Sequence, residues 1–307
     1  MPVEAPKLAI STQFISKTTP EVVAYRALAD SQTGIVPMHH HDMQGERVFE
    51  PEYIRSLAAE VHGMGFSGDL APKHEHGSHG KQAAWSTDES RRLGVGIPVV
   101  RSRIDMAAAL GGEGSVVTFH PMGLHGTPEE VEARFNAHRR TLDFMTQYAG
   151  EKGVLIAVEN LHWPEFENHG MILRLLREYG PDVLGVSIDT GHLNLGPDAM
   201  EFAEAVADRT VALHLNDNTG EVDNSTVDGA REGDRHLNLY DGTFDFHRFA
   251  RLIAPAPYFG LKSGQVSMEI GIRAEEATPD QIQDFIKVSE GKGRRFLEEV
   301  ELYRASA

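Results

Sequence analysis

Val183–Asn194, VLGVSIDTGHLN, carries a short apolar run into Asp189-Thr190-Gly191-His192. A carboxylate three residues ahead of an imidazole can offer one oxygen and one nitrogen to the same divalent cation. The plainer reading is an Asp that caps the next helix beside a structural His. The pattern recurs along the chain. His120 follows the run Ser115–Phe119, Glu159 follows Gly153–Val158, His214 follows Thr210–Leu213, and Glu269 follows Gln265–Met268. A long polar excursion, Asn218–Asp245, adds Asp234 and His236. Alone, Glu159 and Glu269 read as structural ion-pair partners and His214 as a satisfied core histidine. Recurrence at consecutive strand ends ranks the metal-ligand reading above those.

Such groups must be delivered by strands that end in one place. The apolar runs Leu8–Ile15, Gly34–Met38, Gly65–Leu70, Ser115–Phe119, Gly153–Val158, Val183–Ile188, Thr210–Leu213 and Gln265–Met268 read as eight buried strands. Helices alternate with them. Thr19-Pro20 opens a helix to Asp30, Glu50–Gly63 is amphipathic, and Ser86–Glu89 caps a helix to Leu110 with an interruption at Gly94–Pro98. Thr127-Pro128-Glu129-Glu130 is a capping signature for a helix to Ala149. Helices His169–Tyr179, Pro197–Ala207, Phe246–Ile253 and Thr278–Arg304 follow, the last broken near Gly291–Gly293. Alternating units of this size predict an α/β fold, a single (β/α)8 TIM barrel over residues 1–307. A doubly wound open sheet would gather ligand-bearing ends only at its switch point, whereas a closed barrel brings all of them to one mouth.

Composition narrows the classes. The 307 residues hold no cysteine, so disulfides, thiolate metal sites and a cysteine nucleophile are excluded. No apolar stretch spans a bilayer and no signal peptide is evident, so a cytoplasmic protein without a membrane partner is expected. A net charge of −17 disfavours a broad grip on nucleic acid. The 16 histidines are the unusual count. His39-His40-His41-Asp42 reads as a surface loop. Ala71–Trp85, with His74, His76 and His79, reads as a lid or substrate loop.

The ordered runs TFHP, VENL, GVSIDTGH, LHLND, DRHLNLYDGTFDF and SMEI resemble the xylose isomerase-like TIM barrels. That superfamily includes sugar phosphate isomerases and epimerases and the apurinic-site endonucleases of family 2. The resemblance spans roughly His120 to Glu269. It implies a divalent metal held by Glu159, Asp189, His214 and Glu269, with manganese or zinc expected and magnesium or cobalt as alternatives. The endonuclease branch holds additional metals, and its ligands match His120, His192, Asp234 and His236. The match departs at the third strand. There the chain reads SGDLAPKHEH, and His74 or His76 would have to substitute for that branch's histidine.

The chemistry expected first is isomerisation or epimerisation of a sugar or sugar phosphate. Glu159 and Glu269 would move a proton α to a carbonyl through an enediolate, and His192 and His120 would bind substrate. The alternatives are a multinuclear phosphodiesterase, a dehydratase or lyase working through the same enolate, and a metal-stabilised sugar-binding protein. The expected partner is a small carbohydrate. Oligomeric state, including a homo-oligomer, is open from sequence.

Overall fold

The computed structural model describes residues 6–11, 21–36, 48–67, 70–77, 83–162, 168–196, 198–221, 233–256, 265–271 and 277–306. Its eight strands are β1 Lys7–Ser11, β2 Gly34–Val36, β3 His74–His76, β4 Val116–Phe119, β5 Leu155–Glu159, β6 Leu184–Asp189, β7 Thr210–Leu215 and β8 Gln265–Met268. All neighbouring pairs are parallel, in the order β2-β1-β8-β7-β6-β5-β4-β3. With helices around it, this sheet is a nearly closed (β/α)8 barrel.

The helices are α1 Glu21–Asp30, α2 Pro51–Gly63, α3 Glu89–Arg91, α4 Ile97–Gly111, α5 Pro128–Gly150, α6 His169–Glu178, α7 Thr190–Leu195, α8 Ala199–Val206, α9 Phe246–Ile253 and α10 Pro279–Ser306. The expected signals start several of them. Thr127 and Glu130 form both halves of a capping box at α5, and Asp88 accepts from Ser90 N and Arg91 N at α3. The helix expected over Pro197–Ala207 is α8, and a short helix not expected, α7, precedes it. The Thr19-Pro20 cap, residues 12–15 of the first run and His39–Asp42 lie outside the described residues.

Three expectations are corrected. The third strand is His74–His76, not Gly65–Leu70. Gly65 has φ +100° in the turn that ends α2, and Phe66 drops directly into the core. The polar run His-Glu-His becomes a strand because its middle residue finds a buried partner. Glu75 points away from the barrel axis to Arg103 of α4, Nη1 to Oε1 3.3 Å, and that guanidinium lies 4.3 Å from the Phe49 ring centre. The expected interruption at Gly94–Pro98 is instead an unbroken π-helical segment, Arg92–Gly96, between α3 and α4. α10 runs straight through Gly291–Gly293. A Cβ on Gly293 would come within 2.6 Å of Leu8, so that glycine marks a close approach to the sheet rather than a break.

Two apolar layers result. The larger packs helices on the outside of the barrel, with Ile10, Val117, Ile156, Val186, Leu213 and Val266 among its strand residues. The interior is different. Register places Thr118 beside His76 and Ala157, Glu159 beside Ser187, and His214 beside Asp189 and Ser267. Alternation then turns small side chains inward, which leaves room for imidazoles near the mouth.

Candidate metal centre

The strands bring the expected groups together. Glu159 and Asp189 are the last residues of β5 and β6, His214 lies in β7, and His120 and Glu269 directly follow β4 and β8. All five are at most 5% exposed. His214 Nδ1 stands 3.1 Å from Glu159 Oε2 and 3.1 Å from Glu269 Oε1. His120 Nε2 meets Glu159 Oε2 at 2.8 Å. Ligand atoms of Asp189, His214 and Glu269 lie within 4.8 Å of one another, as do those of Glu159, Asp189 and His192.

Asp189 is both a cap and a site residue. Its Oδ1 accepts the His192 backbone N–H at the start of α7, 2.7 Å, and its Oδ2 accepts from Asn216 Nδ2, 2.8 Å. Its backbone is clasped by Asn160, whose Oδ1 accepts Asp189 N–H and whose Nδ2 donates to Asp189 O. Asn168 donates to both Pro121 O and Glu159 O, tying the ends of β4 and β5 together. These asparagines were not singled out from the sequence. Asn160 and Asn216 each follow a strand end by a residue or two, the only local signal they give.

The seventh loop is anchored in the same way. Asp217 and Leu237 exchange two backbone hydrogen bonds, and the Asp217 carboxylate accepts from Gly242 N and Phe244 N. This holds Asp234 and His236 at the mouth. Asp234 Oδ2 lies 3.4 Å from His192 Nε2 and 3.3 Å from His236 Nε2. Both rings donate from Nδ1 to a backbone carbonyl, His192 to Asn160 O and His236 to Glu269 O. Each therefore turns Nε2 to the carboxylate, and that is the nitrogen a metal could take once its proton is lost.

β3 corrects the reading of the loop Ala71–Trp85 and of the departure at the third strand. His76 hydrogen-bonds Glu269, and its ligand nitrogen groups with a His120 nitrogen and a Glu159 oxygen. His74 touches His214, Nε2 to Nε2 2.6 Å. His79 lies outside the described residues.

Charge explains what the cluster lacks. The charged neighbours that act on Glu159, Glu269 and Asp234 most strongly are imidazoles. Despite burial, His214 and His120 hold Glu159 well below the usual carboxylate range, and His236 and His192 do the same for Asp234. Burial also opposes charge on His214 and His236, yet Glu159 and Glu269 push His214 up to about 9, and Asp234 pushes His236 up to about 10. Asp189 goes the other way. Burial raises its carboxyl against the pull of His192 and His236, and repulsion from Glu159 and Glu269 adds to the rise. Several buried side-chain atoms among the described residues have no hydrogen-bond partner, His214 Nδ1 and Asp234 Oδ1 among them. Buried carboxylates call for a counter-cation. These residues fit a divalent ion, with hard oxygens and imidazole nitrogens converging at the mouth.

Fold and site thus define a TIM barrel with a His/carboxylate metal-type cluster at its C-terminal mouth. The xylose isomerase-like TIM barrel family model matches residues 37–288, and the chain belongs to that family. The uncharacterized protein y4fM of Sinorhizobium fredii (strain NBRC 101917 / NGR234) is 32% identical over 168 residues. That match spans 53% of this chain and only 50% of the relative. Among solved structures, a D-tagatose 3-epimerase-like protein superposes with a TM-score of 0.65 at 19% identity, over 93% of this chain and 99% of its own. The IOLI protein with a binding zinc atom gives 0.69 at 14% identity, over 96% and 99%. At these identities the likeness is one of fold. Among the described residues no helix is long and apolar enough to cross a membrane.

Proposed function

We propose that this chain is a divalent-metal-dependent isomerase or epimerase of a small sugar or sugar phosphate. Glu159, Asp189, His214 and Glu269 would hold the ion, which supplies Lewis acidity to a vicinal hydroxyl–carbonyl pair. The observation that carries the reading is the pair Glu159 and Glu269, each 3.1 Å from the same His214 nitrogen but delivered by strands on different arcs of the barrel. One carboxylate oxygen would take the proton α to the carbonyl and the other return it. His120 and His76 lie against these carboxylates, so they can orient the oxygens or bind a substrate hydroxyl. His192 faces the same space from α7. Burial of the whole set keeps bulk water from the carbanion. The epimerase-like neighbour supports the class by fold. The charge of −17 supports a small substrate over a polyanion.

A second reading has its own observation. His76, His120 and Glu159 form one further group, and His192, Asp234 and His236 another, so the mouth can hold more than one ion. The histidine expected to be missing at the third strand is present, so its absence no longer argues against a multinuclear phosphodiesterase. The test compares two variants. For an isomerase, Glu269→Gln abolishes turnover and solvent-deuterium incorporation into a ketose even where metal is retained, while Asp234→Asn keeps some activity. Cleavage of an abasic-site duplex by the wild type, with Asp234→Asn as damaging as Glu269→Gln and no deuterium exchange, would select the hydrolase.

A further inference from the structure

His74 lies outside the proton transfers above, yet it is 3% exposed inside the barrel. It sits two residues before His76 on β3, so both rings face inward. Its Nε2 is 2.6 Å from His214 Nε2, with the rings nearly perpendicular at 80°. Two imidazole nitrogens at that distance hold one proton between them, so one ring donates and the other accepts. The opposite nitrogen of His214, Nδ1, faces Glu159 and Glu269. A neutral ring that offers the Nδ1 lone pair to a cation must carry its proton on Nε2. His214 is therefore the donor and His74 the acceptor. His192 and His236 have their tautomers set by backbone carbonyls. For His214 that part falls to another histidine.

We propose that His74 is a positioning residue whose Nε2 accepts the His214 Nε2–H and so fixes the tautomer that turns Nδ1 toward the carboxylates. The proposal rests on His214 being a ligand. Removing such a partner costs about tenfold to a hundredfold in metal affinity. His74→Leu keeps the bulk, removes the acceptor and leaves a buried N–H unmatched. His74→Gln restores an acceptor through its amide oxygen.

The full chain is stripped of metal and titrated with zinc against a chelator of known affinity. Histidine nitrogen NMR reads the tautomers in the same samples. We expect zinc affinity to fall by about tenfold to a hundredfold in His74→Leu and to recover in His74→Gln. Once neutral, His214 should carry its proton on Nε2 in wild type and His74→Gln, and lose that preference in His74→Leu. Wild-type affinity with an unchanged tautomer in His74→Leu overturns the proposal. So does loss of one bound ion per chain in His74→Gln, which would make His74 a ligand. If the wild type binds no divalent ion, the metal reading fails by itself. The metal-free spectrum still decides the contact, since a protonated His214 Nε2 facing a bare His74 Nε2 supports it and the reverse overturns it.

Discussion

Asp189→Asn separates the metal reading from a purely structural one. Both carboxylate oxygens of Asp189 accept, Oδ1 from His192 N–H at 2.7 Å and Oδ2 from Asn216 Nδ2 at 2.8 Å. An amide offers one acceptor, so either flip points its NH2 at a donor. Losing a hydrogen bond to a charged acceptor costs about 1.5–3 kcal/mol. The change also removes a negative charge that Glu159 and Glu269 repel, which offsets part of that cost. The metal-free variant should therefore melt only a few degrees below wild type, since about 1 kcal/mol moves a large domain by about 2–4 °C. The ion-bound proteins should differ more. At an ion concentration of about 100 Kd the wild type gains about 2.7 kcal/mol, or roughly 5–10 °C. If losing the anionic ligand weakens binding about a hundredfold, the gain falls to about 0.4 kcal/mol. Scanning calorimetry with and without zinc, paired with elemental analysis, reads both terms. A full metal-induced shift in Asp189→Asn would refute its role as ligand. A drop beyond about 10 °C in the metal-free variant would show that its hydrogen bonds, not the ion, are what the fold needs.

Two further outcomes follow from the same geometry. A Cβ on Gly191 would come within 1.9 Å of Asn216 Oδ1, so Gly191→Ala must displace the side chain that holds Asp189 Oδ2. We expect a loss of about 1–3 kcal/mol in denaturant melts together with weaker metal binding, and unchanged binding would show that Asn216 does not align Asp189. The pH dependence has a definite sign. His214 and His236 titrate near 9 and 10 when folded, above the ordinary histidine value, so their stabilising charge is complete below about pH 6.5 and is lost as pH rises toward 9 and 10. An ion must displace these protons, so metal-free melting temperature should fall across that window while the zinc-induced shift grows. Thermal scans at stepped pH check both slopes, and a metal-free protein that gains stability between pH 6.5 and 9 would contradict the assignment.

Local physics made much of this protein legible in its sequence. β8 spans Gln265–Met268 as read, and the Thr127 capping box forms, because apolar runs and caps act over a few neighbouring residues. The meeting of His120, Glu159, Asp189, His214 and Glu269 was also legible, since parallel strands that end in ligand-type residues have one mouth at which to converge. What tertiary structure alone decided has a common cause, a partner distant in the chain. His74–His76 is a strand because Arg103 neutralises Glu75 on one side while His214 and Glu269 receive the imidazoles on the other. Gly293 serves as a close-packing position inside a helix, because a Cβ there would run into Leu8. Asn160 and Asn216 belong to the site because each reaches across to Asp189 on the neighbouring strand. Residue type and spacing carry the ligand inventory, but the hydrogen-bond partners that orient each ligand come from other strands and become visible only when the barrel closes.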